Sequence, residues 1–195
     1  MPPGIDFGQK TFNVPVVLSL AAISFIAILL NYVTGRASGR VLFMTYHSPL
    51  SSPMTWIRAF THIFGYANWT HLIGNMSYLL LLGPMLEEKD SSQTLAGVIA
   101  VTAVVTSVVN YIFFPGIALC GASGVVFAFI LLSSFTEFRE GEIPVTFILV
   151  AVFFLGQQIY DGITVQDNIS NMAHIIGGII GGLLGYGLNK KPGVE

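Results

Sequence analysis

Across 195 residues the chain is 53% hydrophobic and only 9% charged, with a mean hydropathy of +0.75; a soluble domain averages about 25% charged residues. This is the balance of an integral membrane protein, and a net charge of −2 with no basic stripe argues against a nucleic-acid partner. The single cysteine, Cys120, excludes an internal disulfide and a cysteine-ligated metal site. It reads as a small apolar filler, although its place near Ser123 leaves a reactive thiol open.

A helix needs about 20 mostly apolar residues to cross a bilayer. Six stretches fit, at about 12–33, 70–86, 92–114, 121–136, 143–160 and 169–188. They run nearly end to end, which predicts one all-α, six-helix membrane domain over residues 1–195. The first stretch exceeds the apolar core of about 7–15 residues in a signal peptide, and its flank sets only Lys10 against Asp6. It is expected to be a retained span. Pro15 and Pro144 stand near span starts, where a missing N–H costs least.

Residues 34–69 form a long connection through which Phe43, Met44, Trp56, Ile57, Phe60, Ile63, Phe64 and Trp69 are scattered. Such aromatic content argues against disorder. It predicts an amphipathic segment in the membrane interface, with the tryptophans at headgroup level. The other loops are predicted to be short: Glu87–Asp90, Phe114–Gly116, Glu137–Glu142 and Asp161–Asp167. Ser91-Ser92 is placed to cap the third span. Six spans put both termini on one side. If that side is cytoplasmic it holds Lys10, Lys89, Arg139, Lys190 and Lys191, against Arg36, Arg40 and Arg58 opposite, a weak positive-inside bias.

The last span carries a ridge of small residues, Gly177-xxx-Gly181-xxx-Gly185, and the fourth offers Gly124-xxx-Ala128. Small ridges let helices approach closely, and close approach of this pair would bring Ser123 toward His174. Taken alone, such ridges mean packing more often than function.

Polar residues inside a bilayer are expensive and ask for a reason. Four stand out: His71, Asn75, Ser123 and His174. His71 and Asn75 are four apart and share a helix face, where interhelical hydrogen bonding is the plain alternative. Ser123, flanked by Gly121 and Gly124, falls near a helix start; a simple N-cap is its alternative. There, unpaired N–H groups and positive dipole character suit a nucleophile whose attack creates an oxyanion. His174 follows Asn171 by about one turn and is a candidate base, a proton relay or a buried hydrogen-bonding residue. Together they make the inventory for acyl transfer. The acids all lie at span ends or in loops, so the chemistry would be a Ser–His dyad, its imidazole oriented by packing or by Asn171. The four histidines, His47, His62, His71 and His174, are too scattered to demand zinc. No metal or cofactor is expected.

At these residues the chain resembles the rhomboid intramembrane serine proteases. Arg58-Ala59-Phe60-Thr61-His62 in the long loop, His71-Leu72-Ile73-Gly74-Asn75, Gly121-Ala122-Ser123-Gly124 and Ala173-His174-Ile175-Ile176-Gly177 match family motifs in order, within about residues 54–186. The resemblance implies Ser123 as nucleophile and His174 as general base. It implies His71, Asn75 and the backbone N–H groups of Ser123 and Ala122 as oxyanion donors. Gly121, Gly124, Phe127, Asn171 and Gly177 would support them, and Glu87 resembles the family's structural glutamate. It further implies lateral substrate entry near the second and fifth spans. Two positions depart from the family: Ile57 intervenes between Trp56 and Arg58, and Phe127 stands where a tyrosine often packs on the imidazole.

The expected activity is hydrolysis of peptide bonds in or near the transmembrane segment of single-span protein substrates. The alternative is a non-catalytic scaffold or chaperone for transmembrane helices, and a small transporter stands third. The lack of appended domains resembles prokaryotic members, so a prokaryotic plasma membrane is expected, with both termini cytoplasmic. Oligomeric state is open, because glycine ridges serve internal packing as readily as dimers.

Overall fold

A computed structural model describes residues 14–134, 145–164 and 168–189 of the chain. Lys10, the predicted Glu137–Glu142 loop with Arg139, Pro144, Asp167, Lys190 and Lys191 lie outside the described residues. Among the described residues there are eight α-helices and no strand. They are α1 (Pro15–Val33), α2 (Ala37–Leu42), α3 (Pro53–Thr61), α4 (Trp69–Asp90), α5 (Ser92–Phe113), α6 (Ser123–Ser133), α7 (Val145–Thr164) and α8 (Asn168–Asn189). Three of the described segments are long and apolar enough to cross a membrane: α1, α5 and residues 171–188 of α8. The apolar stretches of α6 and of α7 (Val145–Phe154) are shorter.

The predicted boundaries shift where local chemistry overrides hydropathy. Glu87–Asp90, expected as a loop, complete the last turn of α4, which also runs through Pro84. The next connection is longer than expected: α5 ends at Phe113 and α6 begins only at Ser123. Ser91 takes φ +77° between α4 and α5, and its Oγ accepts the Thr94 N–H at 3.3 Å, capping α5 as its sequence suggests.

The long connection after α1 is folded. Gly35 and Arg36 adopt positive φ and turn the chain into α2. Buried Asn31 ties the turn down, its Oδ1 accepting the Gly39 N–H at 3.1 Å. On α3, Arg58 is buried with no carboxylate beside it among the described residues. Instead Nε donates to the Met54 carbonyl at 3.0 Å, Nη2 to Ser48 Oγ at 3.2 Å and Nη1 to the Tyr46 hydroxyl, while the guanidinium lies 4.2 Å over the Tyr46 ring. Trp56, Ile57 and Phe60 remain exposed on the outer side of α3, as an interfacial segment requires.

Helix α1 has no side-chain cap of its own. Its first N–H groups are taken up by Glu87, 70 residues on, whose carboxylate accepts from Val16 N at 2.9 Å, Val17 N at 3.0 Å and Ser92 Oγ at 2.7 Å. Glu87 is 2% exposed. An ionised carboxylate is costly to bury; here two backbone donors and the positive end of α1 offset that cost.

Helix α6 lies at the centre, apolar all round, with Val125, Ala128, Phe129, Leu131 and Leu132 essentially fully buried. Its most extensive partner is α8. A Cβ added at Gly177 would overlap the Gly124 backbone, lying 2.7 Å from its carbonyl carbon, and one at Gly181 would overlap Ala128 in the same way. The two backbones are therefore in direct contact, and the expected pairing of the two ridges is observed.

Two stability tests follow from this packing. Gly181→Ala should lower thermal stability in detergent by about 1–3 kcal/mol, the usual cost of overpacking, whereas Gly97→Ala, where a Cβ meets open space, should be neutral or mildly stabilising. Glu87→Ala should cost about 2–4 kcal/mol by orphaning the start of α1, and Glu87→Gln distinctly less because it keeps an acceptor oxygen. Equal losses in the two Glu87 variants would contradict the capping role.

Candidate active site

Helix α4 positions the first pair of side chains. Asn68 caps it, its Oδ1 accepting the His71 N–H at 2.8 Å, so His71 sits in the first turn. Asn75 follows one turn later and is buried, its Nδ2 donating to the His71 carbonyl at 3.2 Å. Both face Gly121. A Cβ at Gly121 would stand 2.7 Å from His71 Cε1, 2.8 Å from His71 Nε2 and 3.8 Å from Asn75 Nδ2. Gly121 also has φ +111°, a conformation that L side chains rarely adopt. Glycine is required here twice, by the backbone and by the imidazole against it.

Ala122 is fully buried at the N-cap of α6, and Ser123 is the first helical residue. The first intrahelical bond runs from Val126 N to the Ala122 carbonyl at 2.9 Å. Helix geometry thus provides no i−4 acceptor for the N–H groups of Ser123, Gly124 and Val125. Gly124 packs on α8, where its Cβ position lies 3.2 Å from the Ala173 carbonyl, the residue before His174. The His174 ring stacks on Phe127, one turn beyond Ser123, with centroids 4.3 Å apart and planes 6° apart. Phe127 therefore supplies the aromatic platform despite lacking a hydroxyl. Asn171 and Gly177 are buried on α8. The side chains proposed for chemistry, His71, Ser123 and His174, are half-buried, while Asn75, Gly121, Ala122 and Gly124 around them are buried.

Three further residues support this region without any signal in the sequence that separates them from ordinary core. Tyr66 is buried and sets its ring edge-on to His71, with centroids 5.1 Å apart at 72°. Thr106 and Thr102 on α5 back Gly124 through their methyl groups, at 3.3 and 3.6 Å from its Cβ position. His62 belongs to the matched loop motif, but its role is new. Its carbonyl accepts the Gly121 N–H at 2.9 Å. Its Nδ1 donates to the Arg58 carbonyl at 3.2 Å, and its Nε2 lies 3.4 Å from Thr106 Oγ1. A second tie runs from Thr45, whose N–H and carbonyl exchange hydrogen bonds with Leu119 at 3.0 and 2.8 Å. The long connection thus holds the loop that carries Gly121 and Ala122.

Two comparisons with known proteins bear on this arrangement. A family model described as the rhomboid domain matches residues 53–191. The chain is also 28% identical, over 152 residues, to Rhomboid-like protein 11, chloroplastic, of Arabidopsis thaliana; the match covers 70% of this chain and 54% of that relative. The chain thus spans about half the length of the curated relative it matches. The expectation of a prokaryotic plasma membrane draws no support from a relative whose name places it in a chloroplast.

Burial pushes the His62 imidazole down from 6.5 to about 4. A base whose folded pKa lies below its unfolded value favours folding fully above pH 6.5, and that contribution fades as pH falls toward 4. Between pH 7 and pH 5 the loss from this one group should be about 2 kcal/mol. Unfolding in detergent at the two pH values would show a smaller difference for His62→Asn than for the wild type. An unchanged difference would rule out His62 as its source.

Proposed function

This chain belongs to the rhomboid family, and from that membership we propose that it is an intramembrane serine endopeptidase. Helices α1 and α4–α8 form its six membrane spans, with both termini cytoplasmic. The observation that carries the reading is the packing of Gly124 against Ala173 and Gly177, together with the stacking of His174 on Phe127. One helix contact thereby gathers the start of α6 and the His174 ring.

In this mechanism His174 takes the proton from Ser123 Oγ as the oxygen attacks the scissile carbonyl. The developing oxyanion is met by the Ser123 N–H, with that of Ala122, and by the side chains of His71 and Asn75. His174 returns the proton to the leaving amine, leaving an acyl-enzyme on Ser123. Water, deprotonated by the same imidazole, then releases it. No carboxylate is needed to orient the ring: the flat contact with Phe127 fixes its plane, and Asn171 stands one turn before it. The substrates are single-span membrane proteins, approaching laterally between α4 and α7. A helical substrate hides its carbonyls in i→i−4 bonds, so it unwinds locally before attack.

A scaffold that binds transmembrane helices through its glycine ridges has less support. Gly177 and Gly181 are already occupied by α6.

The test is cleavage of a single-span substrate in proteoliposomes by folded variants. Ser123→Ala and His174→Ala should abolish cleavage, and Asn75→Ala should lower kcat by about 10²–10³, the usual cost of one oxyanion donor. Cleavage surviving in Ser123→Ala would refute the nucleophile. Substrates carrying Gly or Pro near the cut should be cleaved faster than polyleucine spans, because those residues weaken a helix; equal rates would argue against local unwinding.

A further inference from the structure

Away from the candidate active site, a cavity of about 260 Å³ lies between α3 and the last two turns of α5. Its walls are Leu50, Trp56, Val108, Tyr111 and Ile112, and its floor includes Ala59. Three polar side chains, Thr45, Thr55 and Ser107, also reach it, each already hydrogen-bonded within the protein. Thr45 Oγ1 and Ser107 Oγ are bonded to each other at 2.8 Å, and Thr55 Oγ1 donates to the Pro49 carbonyl at 2.8 Å. On the walls, the Tyr111 hydroxyl donates to the Ser48 carbonyl at 2.9 Å, and Trp56 Nε1 to the Leu50 carbonyl at 3.0 Å. The exposed lining is therefore almost wholly apolar.

We propose that this cavity holds part of one acyl chain of a membrane phospholipid. Its mouth opens among the exposed apolar side chains of Trp56 (56% exposed) and Ile112 (61% exposed). It lies at one end of α5, a helix long and apolar enough to cross the bilayer. The surface around the mouth thus faces lipid, and hydrocarbon is the solvent that reaches it. Trp56 and Tyr111 at the rim suit the level where chains meet headgroups. The bound chain braces α3 against α5, and α3 leads directly into His62, whose carbonyl holds Gly121. Thr45, on the floor, holds Leu119 of the same loop. The proposal requires the chain to lie in a bilayer, not to be a protease.

The experiment is photolabelling of the full chain in lipid nanodiscs. One probe is a phosphatidylcholine with a diazirine in its acyl chain, the other a free diazirine fatty acid, and adducts are mapped by mass spectrometry. With the phospholipid probe, adducts should appear at the floor residues Ala59 and Ser107 as well as at outward-facing residues such as Leu29 and Val101. Ala59→Leu, which fills the floor, should reduce the Ser107 adduct about tenfold and leave those at Leu29 and Val101 unchanged. Phospholipid adducts confined to outward faces in the wild type would overturn the proposal without recourse to any variant. So would a Ser107 adduct undiminished in folded Ala59→Leu. Floor labelling by the free fatty acid alone would overturn the assignment to a phospholipid.

Discussion

Contact between the backbones of α6 and α8 is the constraint from which the rest of the site follows. Gly177 against Gly124, and Gly181 against Ala128, leave no room for even a methyl group. In hydrocarbon no hydrophobic effect drives helices together, so close van der Waals packing has to do so. The contact fixes axial register as well as distance. Gly124 follows Ser123 directly, and Gly177 lies one turn after His174, so register at the ridge is register at the proposed dyad. A helix pair packed through large side chains would tolerate sliding that this pair does not.

The second constraint is the approach to α6. Its N-terminus is not held by the bundle alone. The connection after α1 folds over the outside of α5 and grips the 114–122 loop from two sides, through Thr45 with Leu119 and through His62 with Gly121. Gly121, trapped between the His62 carbonyl and the His71 ring, couples this outer layer to α4. Arg58 helps make the layer rigid by satisfying its donors with one carbonyl, two hydroxyls and a tyrosine face rather than an ion pair among the described residues. A further long-range tie, from Glu87 to the start of α1, fastens the first helix to the turn between α4 and α5.

Much of this was legible in the sequence, and the reasons differ from residue to residue. The membrane class came from charge content. The α6–α8 contact came from the spacing of small residues, whose consequence for two backbones is geometric and local. Asn68, Ser91 and Pro84 show where hydropathy runs out: α4 starts at a cap and reaches Asp90 through a proline, while α6 starts two residues late, after Gly121 at φ +111°. The length and folded state of the long connection were apparent, but its hydrogen bonds to the 114–122 loop were not. Backbone carbonyls such as those of His62 and Thr45 carry no side-chain signature. Tyr66 and Thr106 were equally silent, because a buried tyrosine or threonine in an apolar run looks the same whether or not it borders a site.

The most direct measurement is the reaction of the folded protein, in lipid, with a fluorophosphonate that reports activated serines, mapped to the residue by mass spectrometry. It needs no knowledge of the natural substrate. If the helix contact assembles a working dyad, the adduct forms on Ser123 in the wild type and is lost in His174→Ala of the same thermal stability. An unlabelled Ser123, or labelling that persists without His174, would contradict it.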